Sequence, residues 1–214
     1  MKNRFDLCTQ KEFFIGISMS NSASIDTGIA VINRDLELIR VDKAYHLNDI
    51  QLYLDNLGYK SSSIICMDLP RNPNTPNGKW RIESKYNKPL NVNCKYKCDP
   101  SWTARFGDRG SELCNHLKEA GYDVYRYNCY FTKNALNIIP PYKSRSPQAC
   151  KYLQMVIQDQ LKISGLPSNM IPLSGLDAII GAYNALMVFL GKENYNYKII
   201  GSHKDIPVIS AIKF

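Results

Sequence analysis

The sequence predicts an α/β domain in which helices flank a mixed sheet, and three observations predict it. Residues 13 to 41 read as three short strands separated by polar turns. Ile64 to Met67 is a continuous apolar run, the pattern of a central strand buried on both faces. Three later stretches place apolar residues at helical spacing. With 214 residues and 44% hydrophobic content, the chain can bury one full core, so residues 1–214 are expected to form a single domain.

Each element has a local reason. Phe13-Phe14-Ile15-Gly16-Ile17-Ser18-Met19-Ser20, then Thr27 to Ile32, then Leu36 to Val41 after the turn Asn33-Arg34-Asp35, predict an antiparallel meander. Asn48 and Asp49 open a helix with Ile50, Tyr53, Leu54 and Leu57 on one face, and Gly58 suits its left-handed stop. The central strand follows, with Asp68 at its carboxyl edge and Pro70 ending it. A helix from about Arg109 carries Leu113, Cys114, Leu117 and Ala120, stops at Gly121, and leads to a strand over 124–127. Ser146-Pro147 is a cap with a first-turn proline for a helix bearing Leu153, Val156, Ile157 and Leu161 and ending near Gly165. The last long helix carries Leu176, Ile179, Ile180, Tyr183, Met187 and Leu190, is closed by Gly191, and holds Asp177 in its first turn. The tail, Tyr197 to Phe214, predicts edge strands or a covering flap. No internal repeat interrupts this order.

Residues 71–107 break the rhythm with prolines, asparagines and no sustained period, which predicts an insertion or functional loop. Arg71, Lys79, Arg81, Lys85, Lys88, Lys95, Lys97 and Arg105 face only Glu83 and Asp99 there, a net +6 of the chain's +8. Trp80, Tyr86, Tyr96, Trp102 and Phe106 lie among these cations. Such a mixture stacks bases and neutralises phosphates; the alternative is a small local core. The sequence pI near 9.1 favours an anionic partner, nucleic acid ahead of a membrane surface.

Other classes find little support. The amino terminus lacks the apolar stretch of a signal sequence and no later run approaches membrane-spanning length, so a soluble, cytoplasmic protein is expected. Seven scattered cysteines read as reduced thiols. Cys94, Cys98, Cys114 and His116 lack zinc-knuckle spacing. There is no dinucleotide fingerprint, no phosphate-binding loop, and no nucleophile motif beside His46 or His203.

The order of meander, helix, strand ending in Asp68 and final helix with Asp177 is that of a ribonuclease-H-like fold, where strand and helix acids converge at one sheet edge. Hard divalent ions that activate water for phosphodiester hydrolysis take carboxylate oxygens. Within this order, Phe14-Ile15-Gly16-Ile17, Thr27-Gly28-Ile29-Ala30-Val31, Met67-Asp68-Leu69-Pro70, Arg81 with Glu83, Phe106 with Arg109-Gly110, Tyr142-Lys143, Leu176-Asp177-Ala178 and Ala182-Tyr183 resemble the predicted ribonuclease-H-like nuclease family known as domain of unknown function number 429. The resemblance covers nearly the whole chain. It implies a ribonuclease-H-like fold and a metal-dependent nuclease activity. The expected site has Mg2+ or Mn2+ on Asp68 and Asp177, with Glu83 available as a third ligand if the insertion folds back over the sheet, and Arg109 and Lys143 offsetting charge on the phosphate. Arg71, Lys79, Trp80, Arg81, Arg105 and Arg109 are the expected nucleic-acid contacts.

One departure bears on activity. Members resembling this pattern place an aspartate in the first strand, where this chain has Ser18, and a neutral hydroxyl cannot replace a metal-bridging charge. Three readings therefore stay open: a nuclease weakened or silenced by Ser18, a non-catalytic nucleic-acid-binding or complex-forming subunit, and a nucleotide- or phosphate-binding protein of the actin and sugar-kinase type. The chain is short for the two lobes of the last.

Overall fold

β1 (Phe13–Ser18), β2 (Thr27–Asn33) and β3 (Leu38–Ala44) form the expected antiparallel meander, with Ser18 opposite Gly28. The computed structural model describes residues 11–20, 24–68, 110, 112–143, 145–191, 196–203 and 206–212. The third strand starts two residues later than its apolar pattern suggests, because Asn33 turns the chain: its side-chain oxygen accepts from the Asp35 and Glu37 amides at 3.0 and 2.9 Å. β4 (Ser63–Asp68) lies parallel to β1 on one side and to β5 (Asp123–Tyr127) on the other. All six residues of β4 are buried, as its unbroken apolar run requires.

The tail forms a hairpin, β6 (Tyr197–His203) with β7 (Ile206–Ala211). β7 pairs parallel with β5, so the sheet has seven strands in the order β3-β2-β1-β4-β5-β7-β6. Of the two hairpin strands, β6 lies at the sheet edge and β7 extends the sheet.

α1 (Leu47–Leu57) buries Ile50 and Leu54 and ends on Gly58 at φ 69°, the left-handed stop its sequence foretells. Its first residue is Leu47, one position before the expected Asn48-Asp49 start, with Asp49 accepting from the His46 amide at 3.4 Å. α2 (112–119) buries Leu113, Cys114 and Leu117 and gives way to Gly121 at φ 88°. Together they cover one sheet face, packing on Ile15, Ile17, Ile29, Ile65, Met67 and Val124.

The opposite face carries α3 (Cys129–Ala135), α4 (Pro147–Gln160) and α5 (Leu173–Leu190). Ser146 caps α4 through the Ala149 amide at 3.1 Å, with Pro147 in its first turn as expected. α5 lies directly on the backbones of β1 and β2: a Cβ on Gly16 would stand 1.8 Å from the Ala178 carbonyl oxygen. By length and composition α5 could cross a membrane, contrary to the expectation that no run reaches that length, yet 67% of it is buried in the core. Leu190, in its last turn, is the one exposed residue of the helix. The result is a three-layer α/β/α arrangement.

Candidate functional site

Strand alternation decides which side chains meet. In β1, Phe14, Gly16 and Ser18 share the face covered by α5; in β4, Ile64, Cys66 and Asp68 do. Ile17 pairs with Met67, so the next step along both strands brings Ser18 beside Asp68 at the carboxyl edge. Both are buried. The sequence thus puts a neutral hydroxyl at the place where a second strand carboxylate would face the same helix.

Asp177 comes to this edge from above. It is the fifth residue of α5, one turn further in than expected, because the helix begins at Leu173 with Pro172 before it. Ser174 is accordingly no cap; its hydroxyl donates to Asp26, the acid of the β1–β2 turn. Gly181 permits the approach of Tyr127, since a Cβ there would lie 2.8 Å from the ring. The Tyr127 hydroxyl donates to the Asp177 carbonyl at 2.6 Å, tying α5 to β5.

Cys129 shows that the two acids converge. Its amide donates to Asp68 Oδ1 at 3.2 Å, and its thiol lies within electrostatic reach of the Asp177 carboxylate. One turn later on α3, the Lys133 ammonium forms an ion pair with Asp177. Side-chain exposures of 12% and 18% place that pair mostly out of water. α3 itself is pinned by the Asn128 cap on the Phe131 amide and by Thr132, whose hydroxyl lies 3.3 Å from both Asn184 and Ser210.

The electrostatics follow from this crowding. Burial, then the neighbouring Asp177 charge, push the Asp68 carboxyl well above the usual carboxylate range; the Cys129 amide, Lys133 and Arg126 oppose this less strongly. Burial alone disfavours the Lys133 ammonium, but the Asp177 charge overrides it and holds the amine above its ordinary value. Burial, then Asp177, raises the Cys129 thiol. On the far face Arg126 is fully buried, donating through Nη2 to the Asp68 carbonyl at 3.1 Å and through Nη1 to Cys114 Sγ at 3.2 Å. Its Nε has no partner among the described residues.

A stability prediction arises here. Asp68 keeps its proton in the folded chain at pH values where the unfolded chain, near the ordinary value of 3.8, has released it. Folded stability therefore falls as pH rises above about 4, until the raised pKa is passed. Asp68→Asn retains the oxygen that accepts from Cys129 and has no proton to lose. Its advantage over the natural chain should be negligible near pH 4 and grow by up to ~1.4 kcal/mol per pH unit across that window. Urea unfolding at a series of pH values measures it; an advantage independent of pH sinks the assignment.

The other expected residues divide clearly. Lys143 is exposed, in the turn whose carbonyl accepts from the Ser146 amide at 3.1 Å. Glu83, Arg71, Lys79, Trp80, Arg81, Arg105 and Arg109 lie outside the described residues, as does the rest of 71–107. So do Cys94 and Cys98; Cys114 is buried and His116 exposed on α2. Among the described residues, Cys66, Cys114, Cys129 and Cys150 are free thiols. The cation that does reach the acids is Lys133, which sequence reasoning passed over. The available signal was Asn128 as a cap followed by Cys129 and Lys133 four apart, one helical face.

Could this edge hold Mg2+ or Mn2+? Such ions need several oxygen ligands and usually bridging carboxylates. Among the described residues no group of three His, Cys, Asp or Glu side chains is placed to hold a metal. Asp177 is already paired with an ammonium and Ser18 is neutral. The described residues do not fit a divalent centre. The sequence matches no protein-family model and no curated protein.

Proposed function

We propose that this protein binds nucleic acid on a ribonuclease-H-like scaffold and does not cleave it by a metal-dependent route. The scaffold reading is supported by the β3-β2-β1-β4-β5 order, an antiparallel meander continued by two parallel strands, with α5 laid across β1. One observation carries the binding reading: the segment with net charge +6 follows Asp68 in the sequence, and Asp68 ends β4 at the edge shared with Ser18 and Asp177. Clustered Lys and Arg neutralise phosphates, and the interleaved aromatics offer faces for unpaired bases. Single-stranded nucleic acid is the favoured ligand on those grounds. Loss of cleavage follows from Ser18 and from the ammonium on Asp177.

The test is fluorescence anisotropy with labelled single-stranded oligonucleotides in EDTA. Binding should survive chelation, and log K should fall linearly with log salt; six neutralised phosphates give a slope of about −4 for a single strand. Reversing the charge of Arg71, Lys79 and Arg81 together should flatten that slope by about 2. Absence of binding at 50 mM salt, or binding abolished by EDTA, defeats the reading. Manganese-dependent cleavage by the natural chain would restore the nuclease alternative.

A further inference from the structure

The acidic edge contains its own cation. We infer that the Lys133 ammonium permanently holds the place at which a divalent ion would otherwise join Asp68 to Asp177, so that the site is closed to metal by a side chain of its own fold. Lys133 reaches that place by construction. α3 begins immediately after β5, Asn128 caps it, and the Cys129 amide at its start donates to Asp68. One turn on, the same helix face delivers Lys133 to Asp177, within electrostatic reach of Asp68.

The chemistry of the surroundings suits an ammonium better than a metal. An ammonium is satisfied by a few acceptors at hydrogen-bond distance, whereas Mg2+ demands six oxygens in octahedral array. The described residues supply two carboxylates and a buried serine hydroxyl. A divalent ion approaching Asp177 meets a positive charge already bonded to that carboxylate, and the repulsion acts where little water screens it. Lys133 cannot easily swing aside, because Thr132 next to it is held by Asn184 and Ser210 from α5 and β7.

Two consequences separate this from an ordinary buried ion pair. The natural chain should have no divalent site at this edge, and removing the ammonium should create one that draws on both Asp68 and Asp177. The experiment titrates MnCl2 into EDTA-stripped full-length protein, read by calorimetry and by the electron paramagnetic resonance of free Mn2+. Lys133→Ala should bind Mn2+ at least tenfold more tightly than the natural chain, and Lys133→Ala combined with Asp68→Asn should lose that gain. Lys133→Arg should remain closed. If Lys133→Ala folds poorly, Mn2+ should raise its melting temperature while leaving that of the natural chain unchanged.

A natural chain that binds Mn2+ with a sub-millimolar constant abolished by Asp68→Asn overturns the inference. So does a Lys133→Ala chain that neither binds nor is stabilised by Mn2+. The inference builds on the reading of the acidic edge proposed above, and the two fail separately: oligonucleotide binding is measured in EDTA, where occupancy by Mn2+ plays no part.

Discussion

Asp177→Ala should cost ~3–5 kcal/mol of folding stability, because removing one partner of a buried ion pair leaves the other charge uncompensated in a dry site. The stranded group is the Lys133 ammonium, whose side chain is 12% exposed. The lower half of that range is expected, for a specific reason. Asp68 loses the neighbouring negative charge that helps raise its pKa, ionises more readily, and takes over part of the pairing. Replacing both partners together, Lys133→Met with Asp177→Leu, should be far milder, since apolar side chains of similar volume often match a buried pair. Urea denaturation of the two single variants and the double closes the cycle. A cost below ~1 kcal/mol for Asp177→Ala would place the pair in the energetic class of exposed salt bridges and remove the basis for a fixed cation.

The same pair shows where sequence reading reached its limit. Asp68 and Asp177 were legible because each stands on a strongly patterned element: an apolar run too short for a helix, and an eighteen-residue helix with an unmistakable stripe. Period-two alternation then puts Ser18 and Asp68 on one face of neighbouring strands. The strand order β3-β2-β1 came from turn chemistry at Asn33 and the parallel pairing of β4 from its two-sided burial. Lys133 was not legible in the same way. α3 has only seven residues, too few for a periodic signal, and it is held by tertiary contacts from Thr132 rather than by propensity. Lys143, after two prolines, looked better placed along the chain but is exposed. Arg126 was hidden for another reason: a buried guanidinium that donates to a carbonyl and to the sulfurs of Cys114 and Met67 leaves no mark in the pattern of charges.

Gly16→Ala is expected to have an effect as large, through geometry alone. The new Cβ would stand 1.8 Å from the Ala178 carbonyl oxygen and 2.3 Å from the Ala182 nitrogen, both backbone atoms of α5. No rotamer change relieves such a contact, so either the helix lifts from the sheet or β1 bends away from it. Overpacking of side chains costs ~1–3 kcal/mol, and a clash between two backbones should exceed the upper end. Gly58→Ala is the internal comparison: among the described residues nothing lies within 4 Å of its Cβ, and its left-handed φ of 69° resists the change. That penalty is ~1–2 kcal/mol. The difference between the two variants therefore measures how tightly α5 is seated, apart from glycine's conformational freedom. Gly16 also carries a functional consequence, because the α5 turn it contacts is the one that aims Asp177 at Cys129 and Lys133. A folded Gly16→Ala chain with α5 displaced should lose the raised Asp68 pKa along with stability, readable as a flatter pH dependence of unfolding. A Gly16→Ala chain as stable as Gly58→Ala would mean that α5 does not rest on β1, and the juxtaposition of the two acids would lose its cause.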